Sequence, residues 1–233
     1  MTQSSEKLRA NDVQRMFTGI AKRYVMANRW MTWGQDMRWR RVVLNKAAVP
    51  VGGTLLDIGV GTGDIALEAV SKYESLSVVG ADITPEMIHL GRYRQGGESV
   101  QWVNTDALDL PFPSEYFDAV VSGYLLRNVV DVERVLAEQY RVLKKFGRVV
   151  CLDTTPPSND VWHLPVRLYL RHIIPIIGGL VGGDAKAYLY LIRSTEHFLR
   201  AEDLAGCILK VGFKEVQYRR FMGGVMAIHW GVK

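Results

Sequence analysis

Cysteine is nearly absent. Of 233 residues only Cys151 and Cys207 are cysteines, far apart and without C-x-x-C spacing. That excludes a disulfide framework and a thiolate zinc site, and leaves two reduced, buried thiols in a cytoplasmic protein as the expectation. The histidines, His89, His163, His172, His197 and His229, show no H-x-x-x-H spacing and no acidic pairing, so no metal site is expected. Long apolar runs are missing too. The N-terminal MTQSSEKLRANDVQ lacks the apolar core of a signal peptide, and HIIPIIGGLVGG at 172–183 is too short to span a bilayer and carries a proline. Nor does one sign of charge dominate. The 29 Lys/Arg and 24 Asp/Glu give +5, which fits an anionic substrate, a membrane surface or a nucleic acid without choosing among them. No internal repeat or low-complexity tract stands out.

What is present is the composition of one globular domain over 1–233, 48% hydrophobic and 23% charged. The middle of the chain alternates strand-like and helix-like segments, the pattern of an α/β fold with a doubly wound, Rossmann-like sheet. TLLDIGV (54–60), SVVGADI (77–83), VQWVNTD (100–106), FDAVVSGYLL (117–126) and RVVCLDT (148–154) read as five strands. Pro85 opens a helix after the second. Asp131 reads as an N-cap, with Lys144 and Lys145 in that helix's last turn and Gly147 just beyond it. A helix at 201–211 precedes KEVQYRR and VMAIHWGVK, an antiparallel strand pair.

Two flanks exceed a minimal sheet. Val13, Met16, Phe17, Ile20, Ala21 and Tyr24 recur at helical spacing, and Trp30, Trp33 and Trp39 follow, so 6–48 reads as a helical lid. Residues 156–198 form an apolar insertion broken by Pro156, Pro157, Pro165 and Pro175, read as a helical cap.

The first strand ends in DIGVGTGD at 57–64. Glycines at a strand-to-helix turn let a ligand approach the backbone, and Gly59, Gly61 and Gly63 supply that turn. A dinucleotide loop wants glycine three residues after Gly61, where this chain has Asp64, a residue that repels pyrophosphate. Asp57 is another poor neighbour for phosphate. Both suit a cofactor without phosphate and with cationic groups, S-adenosyl-L-methionine (SAM). Asp82 closes the second strand, where a carboxylate accepts from ribose hydroxyls. Asp106 and Ala107 close the third, with Asp106 placed for an adenine amino group and Ile83 and Met87 for its ring faces.

From these residues the chain resembles a class I methyltransferase. Five colinear blocks narrow the resemblance to the ubiquinone/menaquinone biosynthesis C-methyltransferase family: VQRMFTGIAKRY (13–24), LDIGVGTGDI (56–65), LRNVVD (126–131), RVLKKFGR (141–148) and AIHWGVK (227–233). The glycine loop is shared widely; the LRNVVD block, the N-terminal block and the tail are the diagnostic ones. The resemblance implies seven strands with the last antiparallel, SAM as cofactor, and methylation of a ring carbon of a demethylated polyprenyl quinol. It also implies cofactor contacts at Thr62, Asp82, Asp106, Ala107 and Gly123, the last where relatives often carry serine. Departures fall near the substrate side: Val25 where relatives have an acid, Tyr124-Leu125 for Phe-Gly, and Asp153 for glutamate. Benzoquinol and naphthoquinol acceptors both stay open.

Carbon methylation of a quinol needs a ring hydroxyl to give up its proton so that charge reaches the carbon, and the protein has to align the reactants and favour the phenolate. Arg127 and Asn128, at the end of the fourth strand, are the residues expected to face that oxygen, with ion pairing of Arg127 to Asp131 or Glu133 as the alternative. Base candidates are Asp153, His229, Tyr24, Tyr188 and Tyr190, or a water held by Asn128. Peripheral contact with a membrane and a homodimer stay open as partners. Nucleic acid is not expected, because the basic residues are dispersed. Two other readings keep the SAM site: methylation of another small molecule or a phospholipid, and a SAM-binding regulatory subunit without turnover.

Overall fold

Seven strands build one sheet: β1 (Thr54–Ile58), β2 (Ser77–Asp82), β3 (Val100–Asn104), β4 (Phe117–Gly123), β5 (Leu143–Thr154), β6 (Lys214–Phe221) and β7 (Met226–Val232). Their order is β3-β2-β1-β4-β5-β7-β6, with β7 antiparallel to both neighbours and the others parallel. The computed structural model describes residues 15, 16, 18, 19, 23, 26, 27, 29–156, 168–182 and 185–233.

Burial on both faces explains the apolar runs. Along β1, Leu56 and Ile58 turn to one face, where α4 (Val132–Val142) and α6 (Ala201–Val211) supply Val135, Leu136, Leu204 and Ile208. Leu55 turns to the other face, which α1 (Gln35–Ala47) and α2 (Asp64–Lys72) cover with Trp39, Val43, Leu44, Ala66 and Ala69. Each buried aliphatic side chain of this kind contributes about 1.5–3 kcal/mol of transfer free energy. The second face corrects one expectation. Residues 35–47, read from sequence as part of a lid, are a core helix whose buried Trp39, Val43, Leu44 and Ala47 follow helical spacing.

Asp131 does cap α4, accepting from the Arg134 amide at 2.9 Å. The end of that helix differs from expectation. It stops at Val142, and Lys144 and Lys145 belong to β5. Leu143 is drawn into the sheet opposite Phe117, and Lys144 Nζ binds Asp118 at 2.9 Å. A bulge around Phe146, at φ 64°, then resets the register to Ala119 opposite Arg148. Of the two thiols only Cys151 is buried; Cys207 is half-buried.

At the flanks, residues 23, 26, 27 and 29–31 are helical. Ala27 and Met31 pack with Met16 against Ile174 and Ile192 of the insertion and Val225 before β7. The described insertion comprises Tyr169–Ile173, Ile174–Ile177, Gly178–Gly182 and α5 (Ala185–Glu196). Tyr169 Oη donates to the Met31 carbonyl at 2.7 Å, and Thr195 Oγ1 donates to Thr154 Oγ1 at 2.8 Å, tying the insertion to the N-terminal segment and to the end of β5. Among the described residues no helix is long and apolar enough to cross a membrane.

Candidate active site

The strand order reverses between β1 and β4, and a cavity opens there, outside the carboxyl ends of the strands. The register sets those ends nearly flush, with Ile58 opposite both Ala81 and Ser122, and Asp82 opposite Asn104.

The glycine loop is built by these strand ends. Gly59 and Val60 amides donate to the Ala81 carbonyl at 2.8 and 3.0 Å, which turns the chain against β2. Gly61, at φ 55°, donates its amide to Asp82 Oδ2 at 2.8 Å and has no atom within 4 Å of where a Cβ would stand. Gly63, at φ 89°, caps α2, and a Cβ there would lie 2.5 Å from the Trp102 ring. Glycine meets both demands, positive φ and close approach. Asp82 completes the turn by accepting from the Thr84 amide at 2.8 Å. Thr62 is buried against Arg94, and Ile83, Met87, Ala107 and Gly123 join Asp106 on the cavity wall. α3 (Pro85–Arg92) supplies Met87, while Asp106 Oδ1 accepts from the Leu108 amide at 3.0 Å.

Asp57 carries the electrostatics. Its Oδ2 accepts from the Ala66 amide at 3.1 Å, but its buried Oδ1 has no partner. Burial, with Asp82 and Asp64 nearby, pushes its carboxyl up to about 8. Burial also raises Asp82, against the pull of the Thr84 and Gly61 amides. Burial thus disfavours the charge of both carboxylates, and a cation beside them would relieve that cost.

Sequence reasoning missed two arginines here. Asp64 does not project a bare charge: Arg40 Nη2 contacts its Oδ2 at 2.9 Å and Arg94 Nη1 its Oδ1 at 2.7 Å. Arg40 also binds the buried Asp36 at 2.6 Å, and Arg94 reaches the Thr62 carbonyl at 2.8 Å. The repulsion argued from Asp64 is therefore largely cancelled, and the residue instead latches α1 to the loop. No local pattern signals this, since Arg40 and Asp64 are separated by an entire strand.

The substrate-side candidates divide. β4 ends at Gly123, and Leu126–Asn128 form a 3₁₀ turn. Asn128 lines the cavity; its Nδ2 donates to the Tyr124 carbonyl at 2.8 Å, and its buried Oδ1 has no partner. Arg127 points elsewhere. Its Nη1 lies 2.5 Å from Asp153 Oδ1, both side chains are under 5% exposed, and its guanidinium sits 5.0 Å from the Tyr124 ring. Neither pairing expected from sequence occurs, because Asp131 caps α4 and Glu133 binds Lys210. Asp153 also accepts from the Arg127 and Thr154 amides, at 3.2 and 2.8 Å, so the arginine and one base candidate are each other's partners. His229 is buried away from the cavity, 2.9 Å from the Ala201 carbonyl and stacked on Tyr218, with burial lowering its proton affinity. Tyr24 lies outside the described residues, as does the Tyr188 side chain. Among the described residues no cluster of three or more His, Cys, Asp or Glu could hold a metal ion.

The order β3-β2-β1-β4-β5-β7-β6, with a glycine loop at the switch point, is the class I methyltransferase fold. A Haemonchus contortus phosphoethanolamine N-methyltransferase 2 solved with SAM superposes with a TM-score of 0.65 at 17% identity, over 90% of this chain and 56% of that longer one. A SAM-dependent methyltransferase from Thermotoga maritima gives 0.63 at 20% identity over 95% and 99%. Within that class, the model of the ubiE/COQ5 methyltransferase family matches residues 1–233, and the chain belongs to that family. The ubiquinone/menaquinone biosynthesis C-methyltransferase UbiE of Desulfotalea psychrophila is 47% identical over 95% of this chain and 90% of its own. A demethylmenaquinone methyltransferase of Thermus thermophilus is 40% identical over 93% and 99%. The protein is thus a SAM-dependent methyltransferase, and SAM is the co-substrate of its family.

Proposed function

We propose that this protein methylates a ring carbon of a demethylated polyprenyl quinol, with demethylmenaquinol as the acceptor. The observation that carries the reading is the full-length match to C-methyltransferases of quinone biosynthesis, with demethylmenaquinone methyltransferases among the relatives. The likeness to a phosphoethanolamine N-methyltransferase, at 17% identity, is one of fold alone.

The cavity fits SAM on its own chemistry. Asp57 Oδ1 is a buried acceptor in need of a donor, which suits an ammonium group; Asp82 suits the ribose hydroxyls, and the bare Gly61 leaves room for close approach. When bound, SAM supplies an electrophilic methyl group on a sulfonium centre. This chain's residues then have to seat the acceptor, keep water out and orient one ring hydroxyl. Leu125, Val129 and Val130 make the neighbouring wall apolar. Asn128 Oδ1 accepts a hydrogen bond from the ring hydroxyl and orients that oxygen; the amide is no base, so the hydroxyl proton leaves to water as charge reaches the ring carbon. Arg127 and Asp153 are positioning residues: their ion pair, and the Asp153 bond to the Arg127 amide, hold the turn that presents Asn128. The reading is tested by following isotopically labelled methyl from SAM into reduced, demethylated quinol and locating it in the product.

A proton should leave when SAM binds. Asp57 keeps its proton in the free protein until about pH 8, and an ammonium at Oδ1 favours its carboxylate. Below that pH, binding therefore releases a proton, and affinity climbs as pH rises toward it. Calorimetry in two buffers of unlike ionisation enthalpy checks this. Equal binding heats would remove Asp57 as the ammonium site.

A further inference from the structure

Two segments of the chain are free of acids. Residues 13–35 carry Arg15, Lys22, Arg23 and Arg29, residues 161–183 carry Arg167 and Arg171, and neither contains Asp or Glu. Everything else, with 23 Lys/Arg against 24 Asp/Glu, is net −1, so these stretches account for the positive charge of the whole protein. They are distant in sequence yet packed together, through Ala27 and Met31 against Ile174 and through the Tyr169–Met31 hydrogen bond. Each also touches an element that borders the cavity. Thr18 Oγ1 reaches Glu86 at the start of α3, while the insertion packs on Val225, whose carbonyl accepts from the Thr155 amide just past β5.

Each segment leaves an apolar stripe in solvent beside its buried one. Met26 and Trp30 share a helix face at i and i+4, and Trp33 follows in the turn beyond it at φ 53°, with Trp30 62% and Trp33 76% exposed. Ile173, Ile176 and Leu180 recur at i, i+3 and i+7, with Leu180 79% exposed. Arg23, Arg29, Arg171 and His172 are exposed among them, and of these Arg171 has a long contact to Glu196 at 3.6 Å. Scattered exposed apolar residues are ordinary, but two adjoining apolar patches, one with two tryptophans, in segments whose own charges are all basic are not. Tryptophan favours the lipid–water boundary, aliphatic side chains enter the acyl region, and arginines meet anionic headgroups.

We infer that this face, formed by the 26–33 and 173–180 segments, docks the protein on an anionic lipid surface and brings the cavity mouth to a lipid-dissolved acceptor. The last clause rests on the quinol reading above. A water-soluble acceptor would need no such face, and a protein partner would not require that acids be missing from both segments. Docking here uses side chains already half or more in solvent or nearly so, and it demands no refolding of the core.

The test is co-sedimentation of the full chain with vesicles, without any acceptor present. Vesicles containing phosphatidylglycerol should capture the protein, pure phosphatidylcholine should not, and rising salt should weaken capture. Trp30→Ala/Trp33→Ala and, independently, Leu180→Asp should each lower the partition about tenfold or more. Trp33 contacts Tyr169, so the tryptophan variant is read only where its thermal melt shows it folded, whereas Leu180→Asp should melt like the parent. Absent capture, equal capture by neutral vesicles, or variants that bind like the parent would overturn the inference. So would a concentration-dependent dimer that the tryptophan variant dissolves while vesicles are ignored. Retained capture with no methyl transfer to quinol would overturn the quinol reading and leave the docking face standing.

Discussion

Arg127→Ala is expected to unfold far more easily than the parent, by about 3–5 kcal/mol, because it leaves Asp153 buried and unpaired. Domain stabilities are about 5–15 kcal/mol, so the loss is large, and turnover measured on the folded fraction should fall as well. The informative protein is the double variant Arg127→Met/Asp153→Leu. Replacing a whole buried pair with apolar side chains of similar size is often neutral or stabilising, so urea melts should return to within about 1–2 kcal/mol of the parent. Its turnover should nevertheless stay about 100-fold down, because Asp153 no longer holds the Arg127 amide and the turn carrying Asn128 loses its tether. A double variant with parental turnover would make the pair purely structural. A single variant as stable as the parent would contradict the pair itself.

The second large effect belongs to Asp82. In the free protein burial raises its proton affinity, against the Gly61 and Thr84 amides that it accepts from. In the complex it would accept from ribose while still holding the Gly61 and Thr84 amides. Asp82→Ala should therefore bind SAM about 100-fold more weakly, from the loss of charge-assisted hydrogen bonds of about 1.5–3 kcal/mol each. Asp82→Asn, which can accept from only one of the Gly61 and Thr84 amides, should melt below the parent and lose affinity by a smaller factor than the alanine variant. Equilibrium dialysis with labelled SAM reads both. Unchanged affinity in the alanine variant would move the ribose site away from β2.

Asp82 and Arg127 are unequally legible in the sequence. Asp82 is readable from sequence because the information is local: an apolar run, an aspartate at its end, and a proline opening the helix beyond. The glycine loop is readable for the same reason. Arg127 is visible as an anomaly in an apolar stretch, but its partner is not. Asp153 is 26 residues away and becomes adjacent only because β4 and β5 pair in parallel, with Gly123 opposite Leu152. The clamp of Arg40 and Arg94 on Asp64 is hidden in the same way, three elements converging through topology. Lys144 and Lys145 misled for a different reason. Two bases after an amphipathic helix resemble its last turn, whereas Leu143 is claimed by the sheet and one lysine by Asp118. Residues 35–47 show the reverse case. The spacing of Trp39, Val43, Leu44 and Ala47 already fits a buried helical face, but their place beside a tryptophan-rich segment drew them into a lid.

The destination of the methyl group is decisive. Carbon-13-methyl SAM, incubated with this protein and demethylmenaquinol under reducing conditions, should yield a product with the label on a ring carbon, and Asn128→Ala should form it at least about 100-fold more slowly. Label on oxygen, label in added phospholipid, or no transfer by a protein that still binds SAM would contradict it.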